Sequence, residues 1–226
     1  MTCRIAVLLS GRGSNLDAIL QQVHQAPEVP AQVVGVVSNR PAAGGLQRAA
    51  AAGVATCCVD HRAYPDRPAF EADLARALDS LQPDLLVLAG FMRILTPEFV
   101  TRYSPHLLNI HPSLLPAFRG LDTHARAIAA GHRQHGSSVH VVVPELDAGP
   151  VIAQVQVPIE EDDTPESLAA RVQQGEHLLY PRVLQWYASG RLQLTADAVQ
   201  LDGRTLGAEG HRFRLQPEAP CLEACL

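Results

Sequence analysis

The chain has 226 residues, 47% hydrophobic and 18% charged, with 18 arginines, no lysine, 23 acidic side chains and a formal net charge of -5. That composition belongs to an ordinary globular domain. The missing lysine excludes Schiff-base, phosphate-loop-lysine and kinase chemistries, and arginines scattered through an acidic chain form no basic stripe for a nucleic-acid backbone.

The first apolar run, residues 5–9, is far shorter than the ~18 to 20 residues that span a bilayer, and no later run reaches that length. A signal peptide would need a basic flank, a longer apolar stretch and a small-residue cleavage site, whereas this chain turns into Ser10-Gly11-Arg12-Gly13. The expectation is a cytoplasmic protein with no membrane and no nucleic-acid partner. Cys3, Cys57, Cys58, Cys221 and Cys225 are odd in number and lack C-x-x-C spacing, so reduced thiols are expected rather than a disulfide framework or zinc ribbon.

Residues 4–9, 32–37, 55–59 and 84–88 read as short buried strands, separated by helix-patterned segments at 15–25, 43–52 and 68–81. This βαβ rhythm of near-continuous apolar strands predicts an α/β fold, a mostly parallel sheet flanked by helices on both faces. Residues 107–110 predict a fifth strand. Residues 137–143 and 151–157 predict a pair joined by the turn at 145–149. Residues 165–188 predict a long helix that Pro181 should bend or divide. After Gly190 the pattern weakens, which predicts one domain over 1–203 and a loosely held tail over 204–226.

Ser10-Gly11-Arg12-Gly13-Ser14-Asn15 lies between the first strand and first helix, where glycines permit a tight turn and helix amides face a ligand. The loop reads either as a phosphate site or as a capped turn. A dinucleotide fingerprint would place glycine at Leu16 and an acid at the end of the second strand, which here reads Ser38-Asn39-Arg40. A monophosphate therefore suits the loop better than NAD.

Asn109 and His111, two apart on a strand that exits into Pro112, project to the same side at the carboxyl end of a parallel sheet. An amide beside a histidine there can polarise a carbonyl and move a proton, though such a histidine also serves as a structural group. Asp147, in the turn Glu145-Leu146-Asp147-Ala148-Gly149-Pro150, is either a carboxylate bonding its own backbone or the partner that orients a working histidine. No G-x-S-x-G elbow frames Ser113, which argues against an acyl-enzyme. His124, His132, His135 and His140 show no metal-ligand spacing, so no metal is expected.

Taken in order, Ser10 to Asn15, Leu88-Ala89-Gly90-Phe91-Met92-Arg93-Ile94-Leu95, Asn109 to Pro116, His135 to His140 and Leu146 to Pro150 closely resemble the phosphoribosylglycinamide formyltransferase family over about residues 4–203. The resemblance implies a Rossmann-like formyltransferase fold and transfer of formyl from 10-formyltetrahydrofolate, as cosubstrate, to glycinamide ribonucleotide in purine synthesis. It implies Asn109, His111 and Asp147 as the catalytic set. For the ribonucleotide it implies Gly13, Ser14 and Asn15, with Gln173, Gln174, Gly175 and Glu176 on the late helix. For the folate it implies Arg67, Met92, Arg93, Ile94, Leu95, Asn109, Val143, Pro144, Glu145, Leu146 and Asp147. The implied partners are these small molecules, with the chain a monomer or homodimer.

Three rivals follow. Methionyl-tRNA formyltransferase shares the folate half but carries a further basic domain for tRNA. Formyltetrahydrofolate deformylase hydrolyses the same donor and usually adds a regulatory domain before it. A catalytically silent nucleotide-binding protein could use the same sheet. The expected mechanism is direct transfer through a tetrahedral centre, with Asn109 and protonated His111 holding its oxygen and Asp147 assisting proton movement.

Overall fold

The structure is a computed structural model and describes residues 2–195, 198–216 and 220–225. Its main sheet contains β1 (Cys3–Leu9), β2 (Ala31–Ser38), β3 (Thr56–Cys58), β4 (Leu85–Leu88), β5 (Leu107–His111), β6 (Gln134–Val141), β7 (Val151–Pro158), β11 (His211–Leu215) and β12 (Leu222–Ala224). The nine strands lie in the order β12-β11-β7-β6-β5-β4-β1-β2-β3. From β3 through β5 all neighbours are parallel, β5, β6 and β7 are joined antiparallel, and β11 returns parallel to β7. The mostly parallel sheet expected from the βαβ rhythm is thus present, with an antiparallel insertion. A separate small sheet contains β8 (Leu192–Leu194), β9 (Val199–Leu201) and β10 (Arg204–Thr205), ordered β10-β9-β8.

The helices are α1 (Ser14–Ile19), α2 (Gly44–Ala51), α3 (Arg67–Leu81), α4 (Pro97–Tyr103), α5 (Thr123–Ala129) and α6 (Pro165–Ala188). Alternation along β1 shows how they cover both faces of the sheet. Ile5, Val7 and Leu9 pack into a core with Leu16 and Ile19 of α1 and Val172, Leu179 and Val183 of α6. Ala6 and Leu8 point the other way, against Phe70, Leu74 and Leu78 of α3 and Phe99 of α4. Strands buried on both faces read as unbroken apolar runs, as their sequences do.

Two expectations are corrected and one is narrowed. Pro181 does not divide α6, which runs unbroken from Pro165 to Ala188. Proline at 181 cannot donate to the carbonyl of His177, and the Gln22 side chain supplies that donor at 2.9 Å. The first helix, expected over 15–25, is α-helical only to Ile19 and continues as a π-helix over Leu20–His24, where the Gln22 carbonyl accepts from the Gln185 amide at 2.9 Å. Finally, the tail read as loosely held is built into the protein. β11 pairs with β7, Phe213 and Leu215 are buried, and Phe213 stacks on Trp186 with centroids 5.9 Å apart. The sequence signal there was weak because β11 is short and gains its burial from Trp186 and from β7, both distant in the chain. Of that tail, 217–219 and 226 lie outside the described residues.

The chain runs outward through β1, β2 and β3 and then crosses to β4 on the other side of β1. Ligand crevices form at such a reversal, beyond the carboxyl ends of the strands. The Ser10 amide donates to the Gly90 carbonyl at 3.0 Å, joining the loop after β1 to the loop after β4 at that point.

Candidate active site

The glycine loop is held in place by α2. The Gly45 amide donates to the Gly11 carbonyl at 3.1 Å, and Arg48 Nε donates to the Arg12 carbonyl at 2.8 Å. Gly13 sits at φ +84°, and a Cβ there would lie 2.7 Å from the Gly45 Cα, so the left-handed turn and the contact both require glycine. No side chain caps α1, which leaves the capped-turn reading of Ser14 and Asn15 without support.

Asn15 and Glu176 meet across the fold, with Asn15 Nδ2 donating to Glu176 Oε2 at 2.9 Å and Ser137 Oγ to Glu176 Oε1 at 3.2 Å. Burial pushes the Glu176 carboxyl above the usual range, while these two donors pull it down. Gln173 Nε2 donates to Ser14 Oγ at 3.0 Å. Gly13, Ser14, Asn15, Gln173 and Glu176 line one cavity of about 360 Å³. Gln174 and Gly175 do not. One residue per ~100° of helix turns Gln174 out to solvent, and Gly175 faces β7, where a Cβ would lie 2.8 Å from Val155 Cγ1.

A second cavity of about 730 Å³ lies beyond β4 and β5. Met92, Arg93, Ile94, Leu95, Asn109, Val143, Pro144, Leu146 and Asp147 line it. Four large apolar side chains stand exposed among the described residues, Met92, Ile94, Leu121 and Leu146, and all four line this cavity. Exposed apolar surface gathered in one concavity marks a site for an apolar ligand group. Glu145 and Arg67 stand outside. Glu145 is on the rim, paired to Arg119 at 2.9 Å, and Arg67 is exposed at the first turn of α3. Glu71 braces the Met92–Leu95 loop by accepting from the Thr96 amide at 2.9 Å and from the Thr96 hydroxyl.

Gly90, Met92, Ile110, Pro112 and His124 line both cavities, so the two meet. Asn109, His111 and Asp147 come together beside that junction. His111 Nδ1 is 3.4 Å from Asp147 Oδ2, and Nε2 donates to the Phe118 carbonyl at 3.0 Å. Both ring nitrogens thus face oxygen atoms. Asp147 is itself fixed, at φ 48° in the turn, by the Gly120 amide donating to Oδ2 at 3.0 Å.

A fourth member, His140, was absent from the expected catalytic set. Pairing of β5 with β6 sets it directly opposite Asn109, whose Nδ2 lies 3.2 Å from His140 Nε2. Burial pushes the His140 imidazole down to about 4, so it is neutral near pH 7. Its Nδ1 lies 2.9 Å from the Val141 carbonyl, which places the proton there and leaves Nε2 as an acceptor. One Asn109 amide hydrogen is thereby taken, and the other is free for the cavity. The signal available in the sequence was the alternation of β6, but only its pairing with β5 turns that into a contact. Among the described residues, no group of three or more His, Cys, Asp or Glu side chains is arranged to hold a metal.

A strand-reversal crevice with a phosphate-type loop in one cavity and an Asn-His-Asp cluster in the wall of the apolar cavity that adjoins it suits group transfer between two bound molecules. The chain belongs to the formyl transferase family, whose model, described as Formyl transferase, matches residues 3–184. Within it, the chain falls among the phosphoribosylglycinamide formyltransferases. It is 47% identical to that enzyme of Escherichia coli (strain K12) over 92% of this chain and 97% of the relative, and 41% identical to that of Haemophilus influenzae over 92% and 98%. A solved phosphoribosylglycinamide formyltransferase from Coxiella burnetii superposes with a TM-score of 0.89 at 46% identity, covering 94% of this chain and 99% of that one. The Rossmann-like formyltransferase fold expected from the motifs is therefore the fold of this chain.

Proposed function

We infer that the protein transfers the formyl group of 10-formyltetrahydrofolate to the amine of 5'-phosphoribosylglycinamide, giving formylglycinamide ribonucleotide for purine synthesis. The observation that carries this reading is the meeting of the two cavities beside Asn109, His111 and Asp147. A donor in the larger and an acceptor in the smaller would bring formyl carbon and amine nitrogen together at that junction.

The folate ring would lie against Met92, Ile94, Leu95, Val143 and Leu146, with Arg93 and Pro144 completing the wall. Arg67 and Glu145, outside the cavity, could meet only the part of the donor that projects into solvent. The ribonucleotide would lie along Gly13, Ser14, Asn15, Gln173 and Glu176. The reaction forms a bond from the amine nitrogen to the formyl carbon and breaks the bond from that carbon to folate N10.

As the tetrahedral centre forms, its oxygen gains negative charge. The free Asn109 amide hydrogen and the His111 Nε2 proton would hold it, the oxygen replacing the Phe118 carbonyl as acceptor and the 118–122 loop giving way. Asp147 orients His111, and takes part in moving the proton lost by the attacking amine toward the departing nitrogen. His140 holds the Asn109 amide in its productive orientation. No enzyme nucleophile is required, in keeping with direct transfer. The test is release of tetrahydrofolate from 10-formyltetrahydrofolate, followed spectrophotometrically with and without the ribonucleotide. Equal release without it supports the deformylase instead, and binding with no turnover supports a silent nucleotide-binding protein.

A further inference from the structure

The smaller cavity carries a charge arrangement that the residues assigned above do not explain. Four of those residues, Gly13, Ser14, Asn15 and Gln173, lack a formal charge, and the carboxylate of Glu176 is already engaged by Asn15 and Ser137. Asn15 uses its Nδ2 on Glu176 and presents a buried Oδ1 that has no hydrogen-bond partner. An oxygen acceptor meets a ribose hydroxyl or an amine, not a phosphate oxygen. His124, also in the lining, is held below its ordinary value chiefly by burial, which leaves it uncharged near neutrality.

The cations in the lining are Arg12 and Arg40. Arg12 stands within the glycine loop and Arg40 just after β2, both in the lining of the smaller cavity. Their backbones are anchored. The Arg12 carbonyl accepts from Arg48, and the Arg40 amide donates to Ser38 Oγ at 3.1 Å. Their guanidinium groups are exposed, and among the described residues neither forms an ion pair. Arg48, the next cation, is already paired with Asp17. Arg40 also occupies the strand end where dinucleotide-binding folds carry either an acid for ribose hydroxyls or an arginine for an added phosphate.

We propose that Arg12 and Arg40 form a two-cation clamp on the phosphate dianion of the ribonucleotide and set discrimination for phosphorylated over unphosphorylated ribosyl substrates. The inference deepens the functional reading above and rests on it for the identity of the acceptor. Two guanidinium groups balance a dianion, which Gly13 and the loop amides alone would hold only through dipoles. Because the pair is exposed, its effect is screened by salt and is smaller than that of a buried pair.

The experiment compares Arg12→Gln, Arg40→Gln, the double variant, the Arg12→Lys/Arg40→Lys pair, and Arg182→Gln as a control for loss of an exposed charge on α6. Each is assayed for ribonucleotide KM and kcat at low and high salt, and for binding of ribose 5-phosphate by calorimetry. The expected result is a KM rise of about 5- to 20-fold per single change and on the order of 100-fold for the double, with kcat changed far less. Ribose 5-phosphate should weaken in step, the salt dependence of KM should flatten, lysine should restore part of the affinity, and Arg182→Gln should match the parent. Unphosphorylated ribosylglycinamide should be used equally poorly by parent and double variant.

A double variant within twofold of the parent in both KM and ribose 5-phosphate affinity overturns the proposal. So does an equal loss toward the unphosphorylated substrate. If the parent catalyses no transfer yet binds ribose 5-phosphate through the two arginines, the functional reading fails and the clamp stands.

Discussion

Replacing Asn109 by alanine tests the reaction centre most sharply, because its amide has two separable jobs. One hydrogen goes to His140 Nε2 at 3.2 Å, and the other faces the cavity in which the oxyanion would form. Loss of an oxyanion donor costs on the order of 100- to 1000-fold in kcat, or roughly 3–4 kcal/mol of transition-state stabilisation. The same change leaves a buried imidazole nitrogen without a partner, which lowers stability by about 1–3 kcal/mol. Asn109→Ala should therefore lose two to three decades of kcat, with KM for both substrates changed little and Tm lowered by a few degrees. Asn109→Asp should be worse still, since its carboxylate faces the lone pair of His140 Nε2 on one side and the developing oxyanion on the other. Steady-state rates with saturating folate and ribonucleotide, alongside thermal melts, separate the two jobs. An alanine variant within tenfold of the parent kcat, or an aspartate variant more active than alanine, refutes the reasoning.

The remaining predictions concern the supports of the site. Asp147→Asn keeps an oxygen for the Gly120 amide but removes the charge 3.4 Å from His111 Nδ1, so kcat should fall by on the order of 100-fold or more while folate affinity, measured by fluorescence titration, holds. Gly13→Ala meets both a left-handed backbone and the Gly45 Cα, so ribonucleotide KM should rise at least about tenfold and the melting temperature should drop, with donor binding retained. Burial lowers the His135 imidazole to about 4, so the unfolded chain takes up its proton first as pH falls below 6.5. Stability from this group is complete above that pH and is lost down to about 4, a span worth about 3 kcal/mol. Urea unfolding across that window should show the slope in the parent and a flatter one in His135→Asn; parallel slopes would contradict it. Glu176, whose shift has the opposite sign, is common to both proteins.

Elements whose character is local were legible in the sequence. The apolar runs of β1, β2 and β4, the glycine loop and the i, i+2 placement of Asn109 and His111 each needed only neighbouring residues to be read. What escaped depends on distant partners. His140 joins the site only through the antiparallel pairing of β5 with β6, and the His177 carbonyl that Pro181 leaves without a backbone donor is met by Gln22, far away in the chain. The tail orders because β7 and Trp186 offer it an edge and an aromatic face. A motif also marks a stretch of chain rather than the side chains that face a ligand. Gln174 and Gly175 lie in the matched segment of α6, yet the helical turn aims one at solvent and the other at Val155.

Spectrophotometric assay of the parent protein with 10-formyltetrahydrofolate, in the presence and absence of glycinamide ribonucleotide, tests formyl transfer itself. Two adjoining cavities, the larger lined by the Asn-His-Asp cluster, predict release of tetrahydrofolate only when the ribonucleotide is present, with one formylglycinamide ribonucleotide made per donor consumed. Release at the same rate without it, or no release in either case, would contradict transfer to the ribonucleotide.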